Sequence, residues 1–115
     1  MEFREVKLEI FVPEEFVVPI RDALSRVGAG KIGSYDHCVS VSKVSGYWRP
    51  LDGAHPYQGT AGEICSGEEC KMEIRCRREL AANAVRVIKS IHPYEEPVIN
   101  ILPLVNDLFD RGNDG

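Results

Sequence analysis

Val6, Leu8, Ile10 and Val12 alternate with Lys7, Glu9 and Phe11, the period-two pattern of a half-buried strand. At Pro13 the period changes. Phe16, Ile20, Leu24 and Val27 recur at helical spacing behind Glu14 and Glu15, acids placed where the positive end of a helix dipole favours them. Pro19 falls near the first turn, where a missing donor costs least, and Gly28 and Gly30 supply a cap and a turn. Alternation resumes from Tyr35 to Val44, with His37, Val39 and Val41 on one face and Cys38, Ser40 and Ser42 on the other. Glu63 to Arg77 carries a third strand, in which Cys70, Met72, Ile74 and Cys76 share one parity against Lys71, Glu73 and Arg75. Gly67 leaves two readings there: a bulge in one long strand, or the turn of a hairpin that sets Cys65 opposite Cys70. A second helix runs from Glu79 to Ile91 on a stripe of Leu80, Ala84, Val87, Ile88 and Ile91, and Val98 to Leu104 forms the last strand.

Strand, helix, strand, strand, helix, strand predicts the α+β class with a ferredoxin-like βαββαβ order, an antiparallel sheet carrying both helices on one face. Residues 1–104 form this one domain, and residues 105–115 a partly flexible tail in which Leu108 and Phe109 could dock on a neighbour. Phe11 and other apolar residues opposite the helix face predict that self-association covers the second sheet face. A length of 115 residues, 43% hydrophobic and 28% charged, suits a single core. Net charge −4 argues against a nucleic-acid partner, since phosphate neutralisation needs clustered cations. Arg75, Arg77 and Arg78 read as a solvated strand end. No run approaches a membrane span and no secretory pattern opens the chain, so the expected place is the cytoplasm.

Candidate chemistry gathers in two stretches. Ile91-His92-Pro93-Tyr94-Glu95-Glu96-Pro97 is a stiff corner, because each proline biases the residue before it away from helix. It offers an imidazole, a phenol and two carboxylates without an adjacent cation. Gly46 to Gly62 holds four glycines, two prolines and three of the nine aromatic residues, with Arg49 and His55 beside them. Such long connections tend to carry function. Trp48 and Arg49 there suit either packing of the loop or stacking and cation contacts to a ligand. The four cysteines lack any C-x-x-C pair, and the parity of Cys70 and Cys76 marks them as buried thiols.

His92-Pro93-Tyr94-Glu95, read with the following strand, resembles the H-P-Y-E signature of the CutA proteins, trimeric PII-like ferredoxin folds associated with divalent-cation tolerance. Glu96 stands where that signature usually has valine. Lys7 to Pro13, Gly28 to Cys38, Arg49-Pro50-Leu51-Asp52-Gly53 and the corner together resemble the CutA-like domain inserted in bacterial GTP cyclohydrolase I type 2 homologues, across residues 6 to 104. The resemblance implies a stand-alone CutA/PII-like domain without the flanking two-metal site of those larger proteins. It implies a non-enzymatic homotrimeric binding or regulatory module, with a divalent metal such as copper or zinc, or a small ligand such as an anionic metabolite, in an intersubunit cleft. His92 and Glu95 are the expected metal ligands. Tyr94, Glu96, His37, Trp48, Arg49 and His55 are the expected ligand-binding residues. A protein-interaction or assembly domain is the alternative. A metal-dependent hydrolase ranks last, because the chain shows no nucleophile with a base, no phosphate loop and no H-E-x-x-H.

Overall fold

The computed structural model describes residues 2–110. Six elements follow in the expected order: β1 (Glu5–Val12), α1 (Val17–Arg26), β2 (Ser40–Trp48), β3 (Cys65–Arg77), α2 (Ala81–Ile91) and β4 (Ile99–Leu104). They build one antiparallel sheet in the order β2-β3-β1-β4, and both helices lie on one face of it: the ferredoxin-like arrangement. Each helix is entered through a single 3-10 turn, Glu14–Phe16 and Arg78–Leu80. Residues 111–115, part of the tail expected to be frayed, lie outside the described residues.

Strand parity decides the core. Val6, Leu8, Ile10 and Val12 face Cys76, Ile74, Met72 and Cys70 across the β1–β3 ladder, and all eight are buried under Ile20, Leu24, Ala84 and Ile88. Pro19 sits in the first turn of α1 as expected. Gly30 closes the first crossover. Its backbone (φ +78) favours glycine, its N–H reaches Arg75 O at 2.8 Å, and its O receives Cys38 N at 2.9 Å.

Three expectations change. β2 begins at Ser40, five residues later than expected, and runs on through Tyr47 and Trp48, which the glycine count had assigned to the loop. His37 is therefore not on a strand face; it sits exposed in a bend at φ 56. Gly67 is neither bulge nor turn: β3 pairs with β2 in unbroken register from Ser40↔Glu73 to Trp48↔Cys65. Gly46 faces Gly67, and a Cβ on either would meet the Glu69 carboxylate or the Trp48 indole. Those diagonal side chains fill the space that two facing glycines leave open, which keeps the ladder intact. Five residues apart on one strand, Cys65 and Cys70 point to opposite faces and cannot bridge.

β1 ends opposite Cys70, so the stretch Cys65–Glu69 of β3 pairs with β2 alone and projects as a two-stranded arm. On the helix-free face, Lys7 lies directly opposite Arg75 and Glu9 opposite Glu73. Like charges thus face one another, and the attractive pairs run along diagonals or the strand: Glu5–Arg75 and Lys7–Glu73 at 2.8 Å, Lys7–Glu9 at 3.4 Å, Lys71–Glu9 at 3.6 Å.

Candidate functional site

α2 stops where Pro93 requires it to. His92 is extended (φ −63, ψ 132) and its N–H closes the helix on Ile88 O at 2.8 Å. The ring turns inward and is buried. Its Nε2–H donates to Phe11 O at 2.6 Å, while Nδ1 accepts the Tyr94 N–H at 3.2 Å. This pair of bonds selects the neutral tautomer protonated at Nε2. Burial holds the imidazole pKa below its usual value, against smaller opposing effects of Phe11 O and Glu69. Tyr94 packs on the His92 ring (4.7 Å between centroids) and on Tyr57 (5.9 Å), and its hydroxyl donates to Glu69 Oε1 at 3.2 Å. Burial first, then the Glu69 charge, push that phenol up to about 12.

These contacts bear on the two expected metal ligands, His92 and Glu95. Both His92 nitrogens are engaged by the protein, so the side chain latches α2 to β1 and offers no free lone pair. Glu95 Oε1 accepts the His55 N–H at 3.0 Å and ties the long loop to the corner. Among the described residues, no three His, Cys, Asp or Glu side chains converge on a point where a metal ion could sit. The donors in one copy of the chain therefore do not fit the implied copper or zinc.

The loop over residues 49–64 folds back along the arm. Trp48 Nε1 donates to Gln58 O at 3.0 Å, Arg49 Nε to Gly62 O at 3.2 Å, and Gly62 N to Pro50 O at 2.8 Å. Gly59 (φ +109) makes this possible, because a Cβ there would stand 2.8 Å from Cys65 Sγ and 2.9 Å from Trp48 Nε1. Between loop and corner lies a cleft of about 560 Å³. Five aromatic residues line it (Phe11, Tyr47, Trp48, Tyr57 and Tyr94), together with Arg49 and the carboxylates of Glu69, Glu95 and Glu96.

Of the expected site residues, Trp48, Arg49, Tyr94, Glu95 and Glu96 thus meet in one place. His55 contributes its backbone and does not line the cleft. His37 lies elsewhere, beside α1: its Nδ1 is 2.8 Å from Asp36 Oδ1 and 3.2 Å from Ser25 Oγ, and its Nε2 is 3.7 Å from Asp22 Oδ1. Asp36 competes with Ser25 for Nδ1, and Asp22 stands 3.7 Å from Nε2, beyond hydrogen-bond distance, so the group does not form a nucleophile–base–acid relay. Sequence reasoning missed Phe11, Tyr47, Tyr57 and Glu69 as cleft residues. Phe11, an apolar residue on the polar parity of β1, carried a usable signal, and so did Tyr57 in the aromatic loop. Glu69 carried none, since its place depends on the β2–β3 register. A second cavity, about 510 Å³ at the far end of the sheet, is lined by Arg4, Arg77 and Arg78, which are matched by Asp107, Glu79 and the Phe3 ring.

The family model described as CutA1 divalent ion tolerance protein matches residues 53–109. A GTP cyclohydrolase 1 type 2 homolog of Bacillus subtilis (strain 168) is 35% identical over 106 residues, covering 92% of this chain and 28% of its own length. A solved Bacillus cereus protein related to NIF3 superposes with a TM-score of 0.79 at 31% identity, over 90% of this chain and 26% of that one. The divalent ion tolerance protein CutA1 from Ehrlichia chaffeensis superposes with a TM-score of 0.68 over 99% of this chain and 96% of its own, and its 21% identity speaks for the fold alone. The chain thus spans little more than a quarter of the longer relatives and nearly the whole of a CutA1. Element order, sheet topology and these matches agree that this chain is a CutA-like domain, similar to one segment of the GTP cyclohydrolase 1 type 2 homologs.

Proposed function

We propose that this domain is a non-enzymatic, homotrimeric binding or regulatory module that takes a small ligand in the cleft between the 49–64 loop and the His92–Pro97 corner, at a boundary between subunits. The observation that carries the reading is the cleft itself, held open by the Trp48–Gln58 and Glu95–His55 bonds and walled by aromatic side chains from four separate parts of the chain. Concave sites of this size with a few convergent polar groups are the usual form of small-molecule sites. Support for self-association comes from the uncovered sheet face and from the exposed edge strand β4, where Ile101 and Leu102 are half-exposed. The family description points to divalent ions. Among the described residues, one copy offers no matching donor set, so the cleft ranks ahead of a metal centre. The cytoplasm is the proposed location, in keeping with four free thiols.

Native mass spectrometry of the untreated protein tests both halves at once. The expected spectrum is a trimer with a reproducible extra mass that disappears in Tyr57→Ala. A monomer defeats the assembly, and an extra mass retained in Tyr57→Ala but lost with chelator moves the ligand from the cleft to a metal. A protein-interaction role remains the second reading, favoured by the exposed Leu108 and Phe109 beyond β4.

A further inference from the structure

The charge on the cleft narrows its ligand. Among the described residues, three carboxylates, Glu69, Glu95 and Glu96, line it against a single cation, Arg49, whose Nε is already given to Gly62 O. Each carboxylate keeps acceptor capacity: Glu69 receives one bond from Tyr94, Glu95 one from the His55 N–H, and an ionised carboxylate can accept about four. An anionic metabolite entering this space would meet like charge on most sides. A bare divalent ion would find carboxylates and leave the aromatic walls without a role. Aromatic faces with carboxylates at their edges suit a flat or alkylated organic cation, which gains quadrupole attraction from the rings and Coulomb attraction from the acids.

We propose that the cleft recognises a small organic cation, a protonated or quaternary nitrogen carried on a flat apolar body, which stacks against Trp48 and Tyr57 with its charge toward Glu69 and Glu96. The assignment rests on the cleft being the binding site, and the test separates the two. Trp48 is the only tryptophan, so its indole N–H gives a single proton resonance inside the cleft. The protein is titrated with three probes of one shape: 1-methylquinolinium (cation), 1-methylnaphthalene (neutral) and 1-naphthoate (anion). The cation is expected to shift the resonance saturably and to bind about tenfold tighter than the neutral probe, with the anion weakest. Glu69→Gln combined with Glu96→Gln is expected to bring cation and neutral probe to within about threefold, while Tyr57→Ala weakens both alike. Equal binding of cation and neutral probe, or preference for the anion, overturns the ligand class and leaves the cleft as a site. No saturable shift from any probe up to its solubility overturns the ligand class and the cleft together.

Discussion

His92 shows how one side chain can look like a ligand and act as a joint. Its neutral ring satisfies Phe11 O and the Tyr94 N–H at once, and adding a proton at Nδ1 would set a donor against that N–H. Because burial lowers its folded pKa below 6.5, the unfolded chain binds the proton first as pH falls. Stability from this group is complete above about pH 6.5 and is lost as pH drops from there through the lowered folded value. Urea denaturation at stepped pH should show this decline in the native sequence and a flatter profile in His92→Gln, whose amide does not titrate. At neutral pH, His92→Ala should cost about 1–3 kcal/mol by stranding Phe11 O and the Tyr94 N–H. Equal stability of His92→Ala and the native protein would refute the joint. The sequence exposed the corner's stiffness through its two prolines. It could not reveal that the imidazole faces β1, 81 positions away in sequence.

Among the elements, the crossover from α1 to β2 and the long β3 depend on glycines in opposite ways. At Gly30 a Cβ would lie 2.9 Å from Ile74 Cδ1 and 3.1 Å from Cys38 O, and the backbone carbonyl has no freedom to retreat. Gly30→Ala should therefore cost roughly 1–3 kcal/mol, read as a lowered denaturation midpoint. Gly67, by contrast, sits in a regular ladder and breaks nothing. Read one residue at a time, a glycine between Ser66 and Glu68 argues for a turn. The ladder persists because Trp48 covers Gly67 from the diagonal, a cross-strand contact without local signature. The continuous strand predicts distinct thiol behaviour. Cys70 and Cys76 are buried, and burial raises both thiol pKa values. In the native protein at pH 8, alkylation followed by peptide mass analysis should label the half-buried Cys38 and Cys65 first. A Cys65–Cys70 disulfide under mild oxidation would contradict the strand.

At the scale of the molecule, the two sheet faces are built on different physics. One is closed by helices over aliphatic residues, and the other carries a lattice of ion pairs whose register sets like charges opposite each other. The lattice is bordered by Leu102 on β4, paired with Lys7 and partly open to solvent. In the proposed trimer this border is covered. Leu102→Lys should leave a folded chain with an unchanged circular-dichroism spectrum and reduce the sedimenting mass to that of one subunit. A trimer that tolerates the lysine would place the interface elsewhere. The arm also makes the molecule long, 58 × 28 × 23 Å, and it is the arm that carries Trp48 out to meet the corner.

Local periodicity determined a great deal here. Alternation in Val6–Val12 and Cys70–Cys76, helical stripes around Ile20 and Ile88, and prolines at positions 13 and 93 are signals within a few residues of their effect. They suffice for the element order, the buried set and the ferredoxin-like class. What only the tertiary structure decided lies between segments distant in sequence: the extension of β2 through Trp48, the inward turn of His92, the seat of Glu69 beside Tyr94, and the exclusion of His37 from the cleft. Each depends on strand register and on which atoms are left for a side chain to meet. A period of two or 3.6 residues fixes which way a side chain faces on its own element, and it carries no information about what will be standing opposite.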